Sequence, residues 1–254
     1  MIENTIICIR WGNKYDFSYV LKLKEQCEKN CSVPFNFYCL TDSPVNLPDK
    51  SYIPKQIKLP TYWDKYYMKE RNFFWAYRKC YMFRDDERDE DFGEIEGNKF
   101  LFLDLDVIIH QDLKYFFDLP MDKPYIVRGW WNDIFTVKKD FSKHKSTPLN
   151  SSVIRWDRGQ LNEVWNQINA NSDVIFFTYP SLDNYLNHKW YNIWNEDKGF
   201  FRGFPKGDIY SWYKGNIFPD DMELKKIRKK SKVCLFNNSG ETNDVEELKS
   251  LWNI

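Results

Sequence analysis

The chain begins with an apolar stretch, TIICIRW (5–11), rich in β-branched residues, which predicts a strand buried on both faces. The period then changes. In DFSYVLKLKEQCEKNC (16–31), Val20, Leu21, Leu23 and Cys27 recur at roughly helical spacing. FNFYCLTD (35–42) returns to strand character and ends on a polar pair. Strand, helix, strand is the order of a βαβ unit, which builds parallel sheet. Ligands of such sheets gather at the carboxyl ends of the strands, where this pattern puts Arg10, Asn13, Tyr15, Thr41 and Asp42.

Further along, RNFFWAYRKCYMF (71–83) predicts a helix. The next fourteen residues, RDDERDEDFGEIEG, carry eight acids and no apolar anchor, and their two glycines predict a solvated loop. KFLFLDLDVII (99–109), YIVRGWW (125–131) and SSVIRW (151–156) predict strands, and QLNEVWNQI (160–168) a helix. VCLF (233–236) predicts the last core strand. No repeat and no Pro/Gly/Ser-rich linker interrupts the chain, so one α/β domain over 1–254 is the expectation.

One of these strands contains an anomaly. Phe100 to Leu103 lead into Asp104 and Asp106, and Val107 to Ile109 follow. Strand side chains alternate faces, so a continuous strand would turn both acids to one side, separated by roughly 6.6 Å of rise. A buried carboxylate without a partner is strongly disfavoured, and two like charges more so, unless a cation lies between them. Mg²⁺ or Mn²⁺ suits oxygen donors and shares its shell with phosphates. Asp-x-Asp after an apolar strand also occurs in phosphatases of the haloacid dehalogenase type, usually followed by Gly-Thr near the amino terminus. Here Val and Ile follow in mid-chain, and a metal-dependent phosphatase stands as an alternative.

Composition narrows the partners. Lys plus Arg equal Asp plus Glu at 37 each in 254 residues, so bulk charge favours neither nucleic acid nor an anionic membrane. The basic run KKIRKKSK (225–232) is local. Aromatic residues make up 19% of the chain, which serves core packing and a surface facing a ligand or partner equally; Trp130 and Trp131 are candidates for the latter. Six cysteines lack a second Cys/His pair at zinc spacing, and Cys8, Cys39 and Cys234 fall in strand-like runs, predicting buried free thiols and a reducing compartment. No run has the length of a membrane span or the apolar core of a signal peptide, so a cytoplasmic protein is expected. The three histidines have no metal-ligand spacing, although His110 closely follows the acids.

Eight stretches, in order, give the chain a resemblance to a known family. They are CIRWGNKYDFSYVLKL, FNFYCLTD, RKCYMF, FLFLDLDVIIHQDL, VRGWW, LNSSVIRW, SLDNYL and YSWYK, and with the last core strand they reach from residue 8 to about 236. Together they resemble the GT-A class of nucleotide-sugar-dependent glycosyltransferases, in particular bacterial and viral proteins related to the glycogenin and lipopolysaccharide galactosyltransferase group. The resemblance implies a single Rossmann-like domain with a mostly parallel central sheet flanked by helices. Residues 1–125 would form the nucleotide-binding half and 126–254 the donor-sugar and acceptor half.

The same resemblance implies roles. Asp104 and Asp106 would hold Mn²⁺ or Mg²⁺ and, through it, a nucleotide diphosphate sugar, with Asp104 also near the ribose. Arg10, Tyr15, Thr41 and Asp42 would cradle the nucleotide. Arg78 or Lys79 would stand near phosphate or donor sugar; independently of the resemblance, Lys206 and Lys214 are candidates to balance a diphosphate leaving group. Asn150 and Ser151 would face the donor sugar, and Asp183 would contact it near the anomeric carbon. The family commonly carries His as a third metal ligand after the last core strand; Asn237 stands there in this chain, and Asn184 stands where Gln is usual. The implied activity is transfer of a monosaccharide to a glycan hydroxyl, with retention favoured over inversion. Asn237 motivates the alternative of a sugar-nucleotide-binding protein that has lost turnover.

Overall fold

The computed structural model of the chain describes residues 2–46, 53–61, 63–66, 74–84, 95–129, 147–192, 195–212, 230–236, 246 and 249. Strand β1 (Asn4–Arg10) leads through helix α1 (Phe17–Lys29) to β2 (Phe35–Thr41), followed by β3 (Lys55–Lys58). A 3-10 helix, Phe74–Phe83, precedes β4 (Lys99–Leu103), β5 (Val107–Ile109), the short α2 (Lys114–Phe117) and β6 (Tyr125–Arg128). Then come β7 (Leu149–Asp157) and helices α3 (Asn162–Ala170), α4 (Ser172–Thr178) and α5 (Leu182–Trp190). Strands β8 (Arg202–Gly203), β9 (Ile209–Ser211) and β10 (Val233–Leu235) complete the order.

Seven strands form the main sheet in the order β3-β2-β1-β4-β7-β6-β8. Every neighbouring pair is parallel except those of β7, which runs against both β4 and β6. The expected mostly parallel sheet is thus present. Its apolar runs lack polar alternation because both faces are covered. Ile7, Ile9, Leu40, Phe102 and Ile154 pack into one buried layer with the 3-10 helix and α3–α5. Their neighbours Ile6, Cys8, Cys39, Leu101 and Val153 pack into the other, with α1 and the small sheet. Cys8, Cys27, Cys39, Cys80 and Cys234 are buried free thiols.

VCLF is the last core strand, as expected, with β10 buried in a separate three-stranded sheet, β5-β10-β9. Two expectations change. The segment ending at Phe83 is 3-10 over Phe74–Phe83, and it runs between the sheet and α3–α5 with Tyr77 to Phe83 buried, so no polar face marks its period. Most consequentially, the strand predicted over 99–109 breaks. β4 ends at Leu103, Asp104–Asp106 form a turn, and β5 enters the small sheet antiparallel to β10. Both sheets bury their strands, so the apolar run looked continuous across the break. The two acids therefore do not share one face of a strand.

Arg155 on β7 fixes α2 beneath the sheet. Its side chain is fully buried, donates from Nε to the Phe116 carbonyl (3.1 Å) and pairs with Asp157 at 2.8 Å. Arg155→Ala leaves a cavity and an unpaired carbonyl, and is expected to lower unfolding free energy by about 2–4 kcal/mol in urea denaturation.

Candidate active site

Strand order reverses at β1: β2 and β3 lie on one side and β4 on the other. A crevice at the carboxyl ends of strands at such a point is where open α/β sheets bind ligands. Arg10, Thr41 and Asp104 end or follow β1, β2 and β4 there. Because β7 is antiparallel, its amino end, with Asn150 to Ser152, comes to the same edge; the Asp104 N–H donates to the Ser152 carbonyl at 2.9 Å.

On the β1–β2 side, Arg10 is a brace. It donates to the carbonyls of Tyr15 (3.2 Å) and Ser43 (3.2 Å) and to Thr41 Oγ1 (3.4 Å). Gly12, at φ +61°, turns the loop so that its N–H reaches Asp42 Oδ2 at 2.9 Å, a left-handed conformation that favours glycine. Asp42 also lies 3.6 Å from Arg78 Nη1, while Arg78 Nη2 pairs with Asp64.

On the β4–β7 side, Lys79 takes both oxygens of Asp104, at 2.7 and 2.8 Å, and approaches Ser151 O (3.2 Å) and Oγ (3.4 Å). Arg78 and Lys79 thus serve opposite halves of the crevice. With three residues per turn in a 3-10 helix, consecutive side chains point about 120° apart. Asp183, in the first turn of α5, accepts the Ser151 N–H at 3.0 Å. Tyr77 positions that turn by donating to the carbonyls of Tyr179 and Ser181, each at 3.1 Å. Ser181 caps the helix by accepting from Asn184 N, and its hydroxyl also holds the Asn184 side chain at 2.6 Å. Asn150 turns its Oδ1 back to Ser152 N (2.9 Å).

Asp106 faces Tyr15, whose hydroxyl donates to Oδ2 at 2.9 Å. Burial, and then the neighbouring charge of Asp104, push its carboxyl up to about 6, against the opposing pull of Lys14, Tyr15 and Lys79. Burial likewise raises Asp183, with Lys79 and the Ser151 N–H opposing. Tyr15 is raised by burial and by Asp106, so its hydroxyl keeps its proton. Three carboxylates around one buried ammonium leave local negative charge in excess, which a hard cation would offset. Asp104 and Asp106 offer the oxygen donors such an ion takes, although no trio of His, Cys, Asp or Glu gathers at metal distance among the described residues.

Of the residues singled out by sequence, Arg10, Tyr15, Thr41, Asp42, Arg78, Lys79, Asp104, Asp106, Asn150, Ser151 and Asp183 all lie around this edge. Asn237, Lys214, Trp130 and Trp131 lie outside the described residues. His110 is at the other end of β5 from Asp106, bonded to the Tyr210 hydroxyl at 3.0 Å. Sequence reasoning missed Gly12 and Asp64. Gly12 had a signal, a lone glycine just after a strand; Asp64 had none.

The chain matches no family model and no curated protein. Solved structures do share its fold. A glycosyltransferase involved in glycosylation of the major capsid of PBCV-1 superimposes with a TM-score of 0.56 at 14% identity, covering 98% of this chain and 99% of that one. The galactosyltransferase LgtC, solved with donor and acceptor sugar analogs, gives 0.59 at 13%, covering 98% and 95%. The bifunctional glycosyltransferase WbbM gives 0.57 at 11%, covering 97% of this chain and 49% of that one. The likeness is one of fold. It matches the α/β class expected from sequence, a mostly parallel sheet flanked by helices.

Proposed function

We propose that this protein is a glycosyltransferase that moves a monosaccharide from a nucleotide diphosphate sugar to a hydroxyl of a glycan acceptor. The observation that carries the reading is the convergence of Asp104, Asp106 and Asp183 at the switch-point crevice, next to a loop braced by Arg10 and Asp42. Residues 1–125 would supply the nucleotide side and 126–254 the sugar and acceptor side. Among the described residues no helix is long and apolar enough to cross a membrane.

In this reading Arg10, Tyr15, Thr41 and Asp42 line the nucleotide's seat. Arg78 keeps Asp42 in place from beneath. Asp104 and Asp106 would hold Mn²⁺ or Mg²⁺, with Asn237 the sequence's candidate for a further ligand. When bound, the cation supplies positive charge to the departing diphosphate. Asp183 and the Asn150–Ser151 end of β7 orient the donor sugar. The bond from the anomeric carbon to the diphosphate oxygen breaks, the acceptor oxygen bonds to that carbon, and the acceptor's proton passes to the departing diphosphate. Asp183 is the acid nearest the sugar side to orient or stabilise that centre, and retention of configuration is the stereochemistry favoured by the family resemblance.

Thermal shift against UDP- and GDP-sugars, with and without Mn²⁺, tests the reading. At ligand near 100 times Kd, stabilisation of about 2.7 kcal/mol is expected, a rise of several degrees that depends on the metal. Sugar transfer or release completes the test. Binding without either supports a turnover-deficient binding protein. Phosphate release from simple phosphomonoesters, with no affinity for nucleotide sugars, overturns both in favour of a phosphatase.

A further inference from the structure

Lys79 stands inside the acidic cluster, and its surroundings set it apart from Arg78. Only 6% of it is exposed, and its ammonium lies 5.1 Å from the centre of the Phe102 ring. An ammonium has three N–H donors. The carboxylate of Asp104, at 2.7 and 2.8 Å, and the carbonyl and hydroxyl of Ser151, at 3.2 and 3.4 Å, account for all of them. A phosphate entering the crevice would have to take a donor away from a nearly dry ion pair. Asp104 is the more open partner, with 22% of its side chain exposed against 8% for Lys79, so the carboxylate faces the crevice and the ammonium lies behind it.

The contacts also join three segments that are distant in sequence. Lys79 comes from the 3-10 helix, Asp104 from the turn after β4, and Ser151 from the start of β7. Ser151 in turn donates its N–H to Asp183 on α5. One cation thereby sets the spacing between the acid assigned to the nucleotide side and the acid assigned to the sugar side.

We propose that Lys79 is a positioning residue that holds Asp104, Ser151 and, through Ser151, Asp183 in register, and that it is not a ligand of the nucleotide's phosphates. The proposal rests on the transferase reading for its functional consequence, and on geometry alone for the linkage itself.

Two measurements test it. The first is a double-mutant cycle of Lys79→Met and Asp104→Asn by urea denaturation, which needs no ligand. Asp104→Asn strands a buried ammonium, so the double variant is expected to lose less stability than the sum of the single losses. Additive losses overturn the linkage. The second compares Lys79→Met with the parent for UDP, GDP and CDP binding in EDTA, and for transfer with Mn²⁺. Nucleoside diphosphate affinity is expected to stay within about 3-fold while turnover falls about 10²-fold, the usual effect of displacing reacting groups by an ångström. A metal-free loss of affinity of about 10-fold or more would show a phosphate ligand and overturn the proposal. If the parent binds none of the three even with Mn²⁺, the transferase reading fails; if it binds them with Mn²⁺ and not in EDTA, that reading stands and the cycle decides the role of Lys79.

Discussion

Asp106→Asn is expected to abolish Mn²⁺-dependent binding of nucleoside diphosphates while making the ligand-free protein more stable at neutral pH. The two effects have one origin. Burial and the charge of Asp104 raise this carboxyl from 3.8 to about 6. Below pH 4 the folded and unfolded chains both carry the proton, and the group contributes nothing. Between about 4 and 6 the unfolded chain releases the proton first, so stability falls as pH rises through that window. Above 6 the folded chain carries the full cost, at most about 3 kcal/mol for a shift of this size.

Asparagine removes that cost and still offers an oxygen to the Tyr15 hydroxyl. It also removes the charge that a hard cation requires. Thermal melts from pH 4 to 8 should show the parent losing stability across the window and the variant staying level by comparison. In the parent, protons compete with Mn²⁺ at Asp106, so metal affinity should weaken as pH drops below about 6. Undiminished Mn²⁺-dependent UDP binding by the variant would sink the metal assignment. A variant less stable than the parent at pH 7.5 would sink the account of the buried pair.

Asp183→Asn is expected to reduce sugar transfer by about 10²–10³-fold with little change in nucleoside diphosphate affinity. The amide can still accept the Ser151 N–H, which the carboxylate accepts at 3.0 Å, so the start of α5 stays in place. What disappears is the negative charge beside Lys79 on the sugar side of the crevice. Calorimetry with UDP and GDP measures the first half of the expectation, and a transfer assay measures the second. Activity within about 3-fold of the parent would remove Asp183 from the reaction. Asp183→Ala makes a useful contrast: it also leaves the Ser151 N–H without its acceptor, at about 1–3 kcal/mol, and should lower stability as well as turnover.

Much of this site is readable from residue pattern. An acid pair inside an apolar run announces itself because burial makes it costly, and Arg10, Thr41 and Asp42 follow from the rule that parallel sheets bind at their carboxyl ends. Asp183 was reachable only through family resemblance, since nothing in the stretch around it departs from an ordinary capped helix. Asp64 was not reachable at all; it matters only because Arg78 finds it. The assignment of consecutive basic residues to opposite sides of the crevice depends on a 3-10 twist that a fully buried segment does not reveal in its pattern.

The sequence by itself determined that this chain builds a layered α/β sheet, because its strands are apolar on both faces and only a sheet covered on both sides accommodates that. It also determined that Asp104 and Asp106 need partners. Tertiary structure alone decided who those partners are: Lys79 for one, Tyr15 for the other, on a turn between two sheets and not along one strand. Periodicity specifies which side of an element is buried, but not which element lies against it. Strand order and the reversed direction of β7 supply that, and they bring Ser151 and Asp183 to acids far away in the chain.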